Sequence, residues 1–240
     1  MKFRLGTRSA ATVAAAALAL AACSPGDGDT ASDSGQDAAA LVEQSAQAMR
    51  DVTSAHVVIT TDGRVPNLKV SRLEADVASK PADVGEGEVT IDVGSGPTTA
   101  EVVYIDGHLY SDIAEPGVFT DYGPGTSIYN LSVILDAQNG LANALANLRD
   151  PKAEGSETVD GVATTRISAI SSTDDVAVLA GSKLAPEKSR DVPVTVWIAD
   201  ETPHHLVKAE LEPIPDATVT LTLSEFDKPV EVTKPENTNP

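Results

Sequence analysis

Apart from its carboxylates, this sequence has few of the side chains that most often bind metals or carry out catalysis. It contains one cysteine and four histidines, at positions 56, 108, 204 and 205. A zinc-protease site needs two histidines one helical turn apart with a glutamate between them, and no pair here has that spacing. Adjacent His204 and His205 would point to opposite faces of a strand, so one ion could not bind both. We therefore expect no metal site and no cofactor.

The 36 aspartates and glutamates could in principle supply two carboxylates for general acid and base catalysis. Whether any two lie close enough depends on the fold and not on their spacing in the sequence. The chain has no G-x-S-x-G nucleophile elbow, no Walker A sequence and no G-x-G-x-x-G. These absences favour a protein that is not an enzyme, with a hydrolase that uses two carboxylates as one alternative.

The balance of charge also restricts the partners of the protein. Its 240 residues carry 17 lysines and arginines against 36 acidic residues, a formal net charge of −19. Binding the phosphates of nucleic acid takes clustered basic side chains, so we expect no nucleic-acid partner. With a single cysteine there is no internal disulfide, and stability must come from an apolar core.

The first 23 residues have the pattern of a bacterial export signal. Lys2, Arg4 and Arg8 precede an apolar run of 13 residues that ends directly before Cys23. The run is shorter than the roughly 18 residues that a transmembrane helix needs. Residues 20–23 (LAAC) resemble the lipobox of bacterial lipoproteins. We therefore predict a signal peptide over residues 1–22 and acylation of Cys23, which would anchor the mature protein to the outer face of the cell membrane.

The segment after the cysteine is predicted to be a flexible tether. Residues 24–36 (SPGDGDTASDSGQ) are small and polar, and with Cys23 they would span roughly 20 Å as a coil. Cleavage removes three basic residues and no acidic one, which leaves 14 against 36. We expect so acidic a domain to be repelled by anionic headgroups and to stand off the membrane.

Two periodicities describe the rest of the chain. From Asp37 to Val52 the apolar residues recur with helical spacing, and beyond Val52 they alternate as in strands with one wet face. Asp-Gly at 106–107 and at 160–161 predicts tight hairpin turns. Residues 68–77 keep their alternation only across one slip, which predicts a bulge.

The middle of the chain is predicted to be less regular. Residues 118–129 (VFTDYGPGTSIY) contain glycines and a proline and are predicted to form a loop, followed by short helices at 133–135 and 140–148. A further short helix is predicted at 174–180, capped by Ser172 or Thr173.

About nine strands with three or four helices predict an α+β fold. The expected architecture is a curved antiparallel sheet with helices on its apolar face. One domain is predicted over residues 37–234, with residues 235–240 frayed.

Six short stretches, taken together and in order, resemble one known family. They are SAH at 54–56, IDG at 105–107, GLANALAN at 140–147, KAEG at 152–155, PVTVWI at 193–198 and VTKP at 232–235. With the lipobox, they resemble the LppX/LprAFG family of actinobacterial cell-envelope lipoproteins over nearly the whole mature chain.

The resemblance implies a half β-barrel wrapped over helices, with an apolar cavity between sheet and helices for the acyl chains of triacylated lipids. It implies a lipid chaperone without catalytic residues that carries triacylglycerides, phosphatidylinositol mannosides or lipoarabinomannan-type glycolipids across the cell envelope. It also implies a major facilitator efflux pump as partner. We expect the protein to be a monomer.

Strand alternation and helical spacing select candidates for the lining of such a cavity. Val57, Ile59, Val89, Ile91, Val93, Val102 and Tyr104 are predicted on the sheet, with Leu141, Leu145 and Leu148 on the covering helix. Phe119, Tyr122 and Tyr129 in the predicted loop are expected to border the entrance. A solid aliphatic core would show the same alternation, so a structural or partner-binding lipoprotein is a second alternative.

Overall fold

A computed structural model describes the backbone of residues 30–65, 68–92, 94, 96–125, 130–179 and 189–239. It describes side chains from Asp37 onward, except those of residues 178 and 179. The predicted signal peptide and Cys23 lie outside this part of the chain.

In the part of the chain that the structure describes, three α-helices and a short 3-10 helix lie on one side of a large sheet. They are α1 (Thr30–Asp51), the 3-10 helix (Leu131–Leu135), α2 (Leu141–Ala146) and α3 (Thr173–Leu179). The start of α1 at Thr30 differs from the tether predicted over residues 24–36. The predicted cap of α3 is confirmed, since Ser172 Oγ accepts a hydrogen bond from the Asp175 amide at 3.1 Å.

Twelve strands form one sheet. They are β1 (Ser54–Asp62), β2 (Val70–Ala78), β3 (Val84–Asp92), β4 (Pro97–Ile105), β5 (His108–Glu115), β6 (Val118–Pro124), β7 (Arg149–Val159), β8 (Val162–Ser172), β9 (Asp191–Ala199), β10 (Leu206–Ile214), β11 (Ala217–Ser224) and β12 (Thr238–Asn239). Their order across the sheet is β12-β6-β5-β4-β3-β2-β1-β11-β10-β9-β8-β7, antiparallel except for the β12–β6 pair. The sheet is curved and unclosed, which confirms the predicted α+β fold.

Local details of the sheet follow from individual residues. Asp106 and Asp160 have φ values of 54° and 49°, so both Asp-Gly pairs form the predicted hairpin turns. The slip in β2 is confirmed as a register shift against β3 between Val70 and Arg72. The prediction of a loop at 118–129 is wrong for its first seven residues, which form β6. The prediction of a loop rested on glycine and proline, and Gly123 and Pro124 lie only at the end of this strand.

The end of the chain crosses from the middle of the sheet to one of its edges. This C-terminal segment (residues 225–239) is tied to the start of β1 by Asp227, whose Oδ1 accepts hydrogen bonds from the amide and the hydroxyl of Thr53, both at 2.8 Å. At its other end the Asn237 carbonyl accepts from the Phe119 amide at 2.8 Å. The fraying predicted for residues 235–240 therefore differs from the structure, in which β12 pairs with the exposed edge of β6.

The apolar core lies between the helices and the concave face of the sheet. On α1 its members recur at helical spacing, as in Ala38, Val42, Ala46 and Met49. The 3-10 helix contacts β2 and β3, while α1 packs against α2 and β7. Within the described residues, no helix is long and apolar enough to cross a bilayer.

Candidate functional site

The concave face of the sheet is aliphatic along its whole width. Cross-strand register places Val57 opposite Ala75 of β2 and Leu223 of β11, and the same face continues through Val102 and Tyr104 on β4. These side chains share one cluster with the buried residues of the helices. The result is a single apolar interior between two layers.

At one end of the sheet this interior is closed around five fully buried side chains, with Leu109 and Phe226 half-buried at its border. We call it the sealed end, defined by the five buried side chains Val57, Val77, Ile198, Leu206 and Leu223, which are 0 to 3% exposed. Here the inner face of β3 bears only glycine. A Cβ at Gly85 would lie 3.2 Å from Leu131 Cβ, so the glycine lets the 3-10 helix pack closely on the sheet.

At the opposite end the same inner face is partly exposed. We call it the open end, where the sheet contributes the half-buried residues Ile59, Val70, Val89, Ile91 and Leu211. Val70 and Ile91 are register partners on β2 and β3, and Leu211 follows on β10. On β1, β2, β3 and β10 the inner face thus passes from burial to partial exposure along the strand. On β9 it stays buried, with Val192 at the open end 0% exposed.

The helical layer has a matching edge. Leu41 of α1, Leu148 after α2 and Val176 of α3 are half-buried against the same core. Leu148 leads directly into the first residue of β7, and α3 follows the last residue of β8, which both lie at the open end. Aliphatic side chains of both layers therefore face each other across this end.

The structure brings most of the predicted lining residues together. Val57, Val102, Tyr104, Leu141 and Leu145 are buried in the core, 0 to 7% exposed. Ile59, Val89, Ile91 and Leu148 are half-buried. Val93 lies outside the described residues. Burial raises the pKa of the Tyr104 hydroxyl, with the charge of Asp83 adding to the effect, so this phenol stays neutral.

Two of the three predicted entrance residues lie in the described part of the chain, and neither is on a loop. Phe119 and Tyr122 lie in β6, with Phe119 half-buried beside β12 and Tyr122 38% exposed. Tyr129 lies outside the described residues. The partly exposed edge of the core is instead formed by β1, β2, β3 and β10 together with the helices.

Carboxylates concentrate on the convex face, away from the core. Five of them line a shallow depression there, namely Glu74, Asp76, Glu86, Glu88 and Glu101. His56 lies among them, with Nδ1 2.8 Å from Asp76 Oδ1. A second depression on this face is lined mainly by polar residues of β7 to β10. In the described part of the chain, no group of three or more potential ligands is arranged to hold a metal ion.

One carboxylate in the described part of the chain is buried, and its contacts are structural. Asp112 is 8% exposed. Its Oδ1 accepts from the Glu101 amide and its Oδ2 from the Gly117 amide, each at 2.8 Å. Each oxygen therefore accepts a hydrogen bond from the backbone, and these bonds hold the β4–β5 and β5–β6 segments in place.

The sequence of this domain matches one family model. The model describes the LppX_LprAFG lipoproteins and matches residues 37–232. The chain belongs to this family. The resemblance of its motifs is thereby confirmed.

Relatives within the family share most of their length with this chain. Lipoprotein LprA of Mycobacterium tuberculosis is 49% identical over 95% of this chain and 96% of its own. The lipoarabinomannan carrier protein LprG is 36% identical in Mycolicibacterium smegmatis, over 97% of both chains. It is 39% identical in Mycolicibacterium hassiacum, over 98% and 99%. The short motifs predict a likeness to LprG, and the overall identity is higher to LprA.

Solved structures of family members have the same fold. LprF from Mycobacterium bovis aligns with a TM-score of 0.75 and 24% identity, over 83% of this chain and 97% of its own. Mycobacterium tuberculosis LppX aligns with a TM-score of 0.64 and 24% identity, over 82% and 99%. The curved sheet over helices is thus the fold of this lipoprotein family.

Four residues of the open end were missed by the sequence analysis. They are Leu41, Val70, Val176 and Leu211. Val70 precedes the bulge of β2, and Leu211 follows a second register shift in β10 between Leu206 and Lys208. A bulge inserts one extra residue into a strand and so reverses the alternation of faces beyond it. Counting by twos across a bulge therefore assigns residues to the wrong face.

Proposed function

We propose that this protein is a membrane-anchored, non-enzymatic lipid carrier of the cell envelope. It binds the acyl chains of triacylated lipids between sheet and helices and transfers these lipids across the envelope. The observation that supports this most directly is the gradient from the sealed end to the open end of one aliphatic interior. Such an interior gives an acyl chain an apolar environment and a way in.

The names of two relatives support the class of cargo. The LprG proteins are named lipoarabinomannan carriers and are 36 to 39% identical to this chain. We extend this class here to triacylglycerides, phosphatidylinositol mannosides and lipoarabinomannan-type glycolipids. Chain burial would hold each ligand, while its polar head stays in water.

The energetics explain why a carrier is needed. Each methylene moved from lipid into water costs about 0.8 kcal/mol, so a chain of about 16 carbons costs roughly 12 kcal/mol. Transfer into an apolar protein interior avoids most of this cost. A carrier therefore lowers the barrier to transfer and leaves the equilibrium unchanged.

Loading requires space, and the helical layer is the part of the structure that can supply it. Helices α2 and α3 have six and seven residues, too short to be stable without tertiary contacts. We propose that they move away from the sheet when acyl chains enter at the open end. The twelve-stranded sheet, held by continuous hydrogen bonding, keeps its shape.

The remaining parts of the proposal concern location and partners. Acylation of Cys23 would hold the protein on the outer face of the cell membrane, as the lipoprotein family suggests. We propose that the protein works as a monomer and hands its cargo on with a major facilitator efflux pump.

Two measurements test the carrier proposal. Lipids extracted from protein purified from its own host should include triacylated species on mass spectrometry. Val89→Trp, which fills the half-buried inner face of β3, should abolish this lipid while circular dichroism shows an intact fold. Glu88→Trp is the matched control, because Glu88 is the exposed outward neighbour on the same strand, and it should retain lipid.

Three results would contradict parts of this proposal. A wild-type extract without lipid would support the alternative of a lipoprotein with a solid core. Retained lipid in Val89→Trp would show that Val89 does not contact the ligand. Unfolding of this variant would show that Val89 is needed for packing of the core. Turnover of glycolipid that is lost on replacement of a single carboxylate would instead indicate a hydrolase.

A further inference from the structure

We propose that the open end docks directly on the outer leaflet of the membrane that anchors the chain, with the acidic convex face turned toward water. This inference rests on the proposed function, because it states which surface of the carrier exchanges lipid with the bilayer. Three independent features of the described residues support it.

The first feature is apolar surface that on β1, β2 and β10 is confined to the open end. Ile59, Val70 and Leu211 remain half-buried at the open end, whereas Val57, Val77 and Leu206 at the sealed end are at most 1% exposed. Partly exposed aliphatic side chains gain free energy when they enter the boundary between headgroups and acyl chains. Contact through the open end therefore removes the exposed part of these aliphatic side chains from water.

The second feature is the distribution of charge. Arg64 and Lys69 lie exposed in the connection between β1 and β2, beside Val70 at the open end, and neither pairs with another described acidic residue. The carboxylates around Gly87 occupy the convex face. Asp62, Asp92 and Asp216 are exposed at this end too, so it carries cations beside carboxylates, whereas the convex depression carries five carboxylates. Above an anionic membrane, repulsion is therefore smaller when the convex face is turned away.

The third feature is the length of chain between anchor and domain. Helix α1 begins at Thr30, seven residues after Cys23. Even fully extended, these seven residues reach only about 24 Å. This connection is shorter than the tether predicted over residues 24–36, which would let the domain stand off the membrane. The shorter connection keeps the domain near the surface, and Leu41 of α1 lies on the open end itself.

The test uses the full-length acylated protein with one added thiol. Because acylation blocks Cys23, a cysteine placed at Pro97 or at Glu201 can be labelled alone with a fluorophore. Both residues are exposed, Pro97 at the open end and Glu201 in the turn between β9 and β10 at the sealed end. Vesicles of phosphatidylcholine and phosphatidylglycerol with nitroxide-labelled headgroups quench fluorophores that touch the bilayer.

We expect quenching of the Pro97→Cys label to exceed that of the Glu201→Cys label several-fold. Introducing Val70→Asp into the Pro97→Cys protein should reduce this quenching, and Val58→Asp on the outward face of β1 is its control. Equal quenching at the two positions, or stronger quenching at position 201, would overturn the docking proposal.

Lipid analysis of the same preparations separates this inference from the proposed function. Extracted lipid together with equal quenching would support the carrier proposal and contradict docking through the open end. Unequal quenching without extracted lipid would support docking through the open end by a protein that is not a carrier.

Discussion

Leu206 and Leu211 lie on one strand and face the same interior, yet their surroundings differ. Leu206, at the sealed end, is 1% exposed, whereas Leu211, at the open end, is half-buried. They are five positions apart, an odd number, so strict alternation would place them on opposite faces. The register shift between Leu206 and Lys208 returns both to the concave side. Identical side chains thus serve tight packing at one end and an accessible apolar edge at the other.

Truncating these two leucines should give the largest difference between the ends. Leu206→Ala should reduce the free energy of unfolding by about 3 kcal/mol, because it leaves a cavity in a closed core. Leu211→Ala should cost about 1 kcal/mol, because water can reach the vacated space. Urea unfolding followed by circular dichroism measures both values, and equal losses would contradict the distinction between sealed and open ends.

A polar contact that closes the sealed end should have the next largest effect. Asp227→Ala removes the acceptor of two hydrogen bonds from Thr53 and should lower the free energy of unfolding by about 1 kcal/mol more than Asp216→Ala. Asp216 is the matched control, because it lies in the turn between β10 and β11 at the open end. Its φ of 63° is close to the 58° of Asp227, so both substitutions carry similar backbone strain.

The two aspartate variants should also differ where the C-terminal segment is attached. Hydrogen exchange at the amide of Phe119, which donates to the Asn237 carbonyl, reports on β12. Faster exchange in Asp227→Ala but not in Asp216→Ala would show that both attachments of this segment act together. If the two variants lose equal stability, the Thr53 contacts do not hold the sealed end.

The smallest expected effect is a dependence on pH at the sealed end. The His205 ring lies 4.2 Å from the Phe226 ring, and burial lowers its pKa, partly offset by the charge of Asp227. Below the ordinary histidine pKa the unfolded chain binds this proton more readily than the folded chain. Stability should therefore fall as the pH drops from 7 through that value, until the folded pKa is passed.

His205→Gln should flatten this pH dependence, because it removes the titrating ring. The change should be small, since the ring is only half-buried and partly screened by water. Urea midpoints measured between pH 7.5 and pH 5 give the slope for each protein. A variant with the wild-type slope would show that another group causes the dependence.

Much of the fold could be predicted because local patterns matched the tertiary structure. Asp106-Gly107 and Asp160-Gly161 require turns wherever they occur, and Ser172 with Asp175 caps a helix by contacts within four residues. The loop predicted at 118–129 failed because β6 is irregular. Its pairing with β5 shifts register twice. The strand conformation of β6 therefore depends on hydrogen bonds to β5 and not on a regular alternation in its own sequence.

The candidate site was predicted less completely, for a related reason. Val57 and Val102 follow uninterrupted alternation, and the structure buries both. Val70 and Leu211 each lie beyond a register shift. The sequence of β2 indicates its bulge, whereas nothing in the sequence of β10 indicates the shift there. Nor does periodicity indicate that Ile59 is half-buried while Val57, two residues away, is fully buried.

By itself the sequence determined the composition of the two faces, the positions of the turns and the membership of a lipoprotein family, because each depends on residue type and short spacing. Tertiary structure alone decided which end of the aliphatic interior is closed. That outcome depends on where the helices, the 3-10 helix and the C-terminal segment pack against a curved sheet. Such contacts join residues far apart in the sequence, as Gly85 with Leu131 and Thr53 with Asp227, and no local pattern records them.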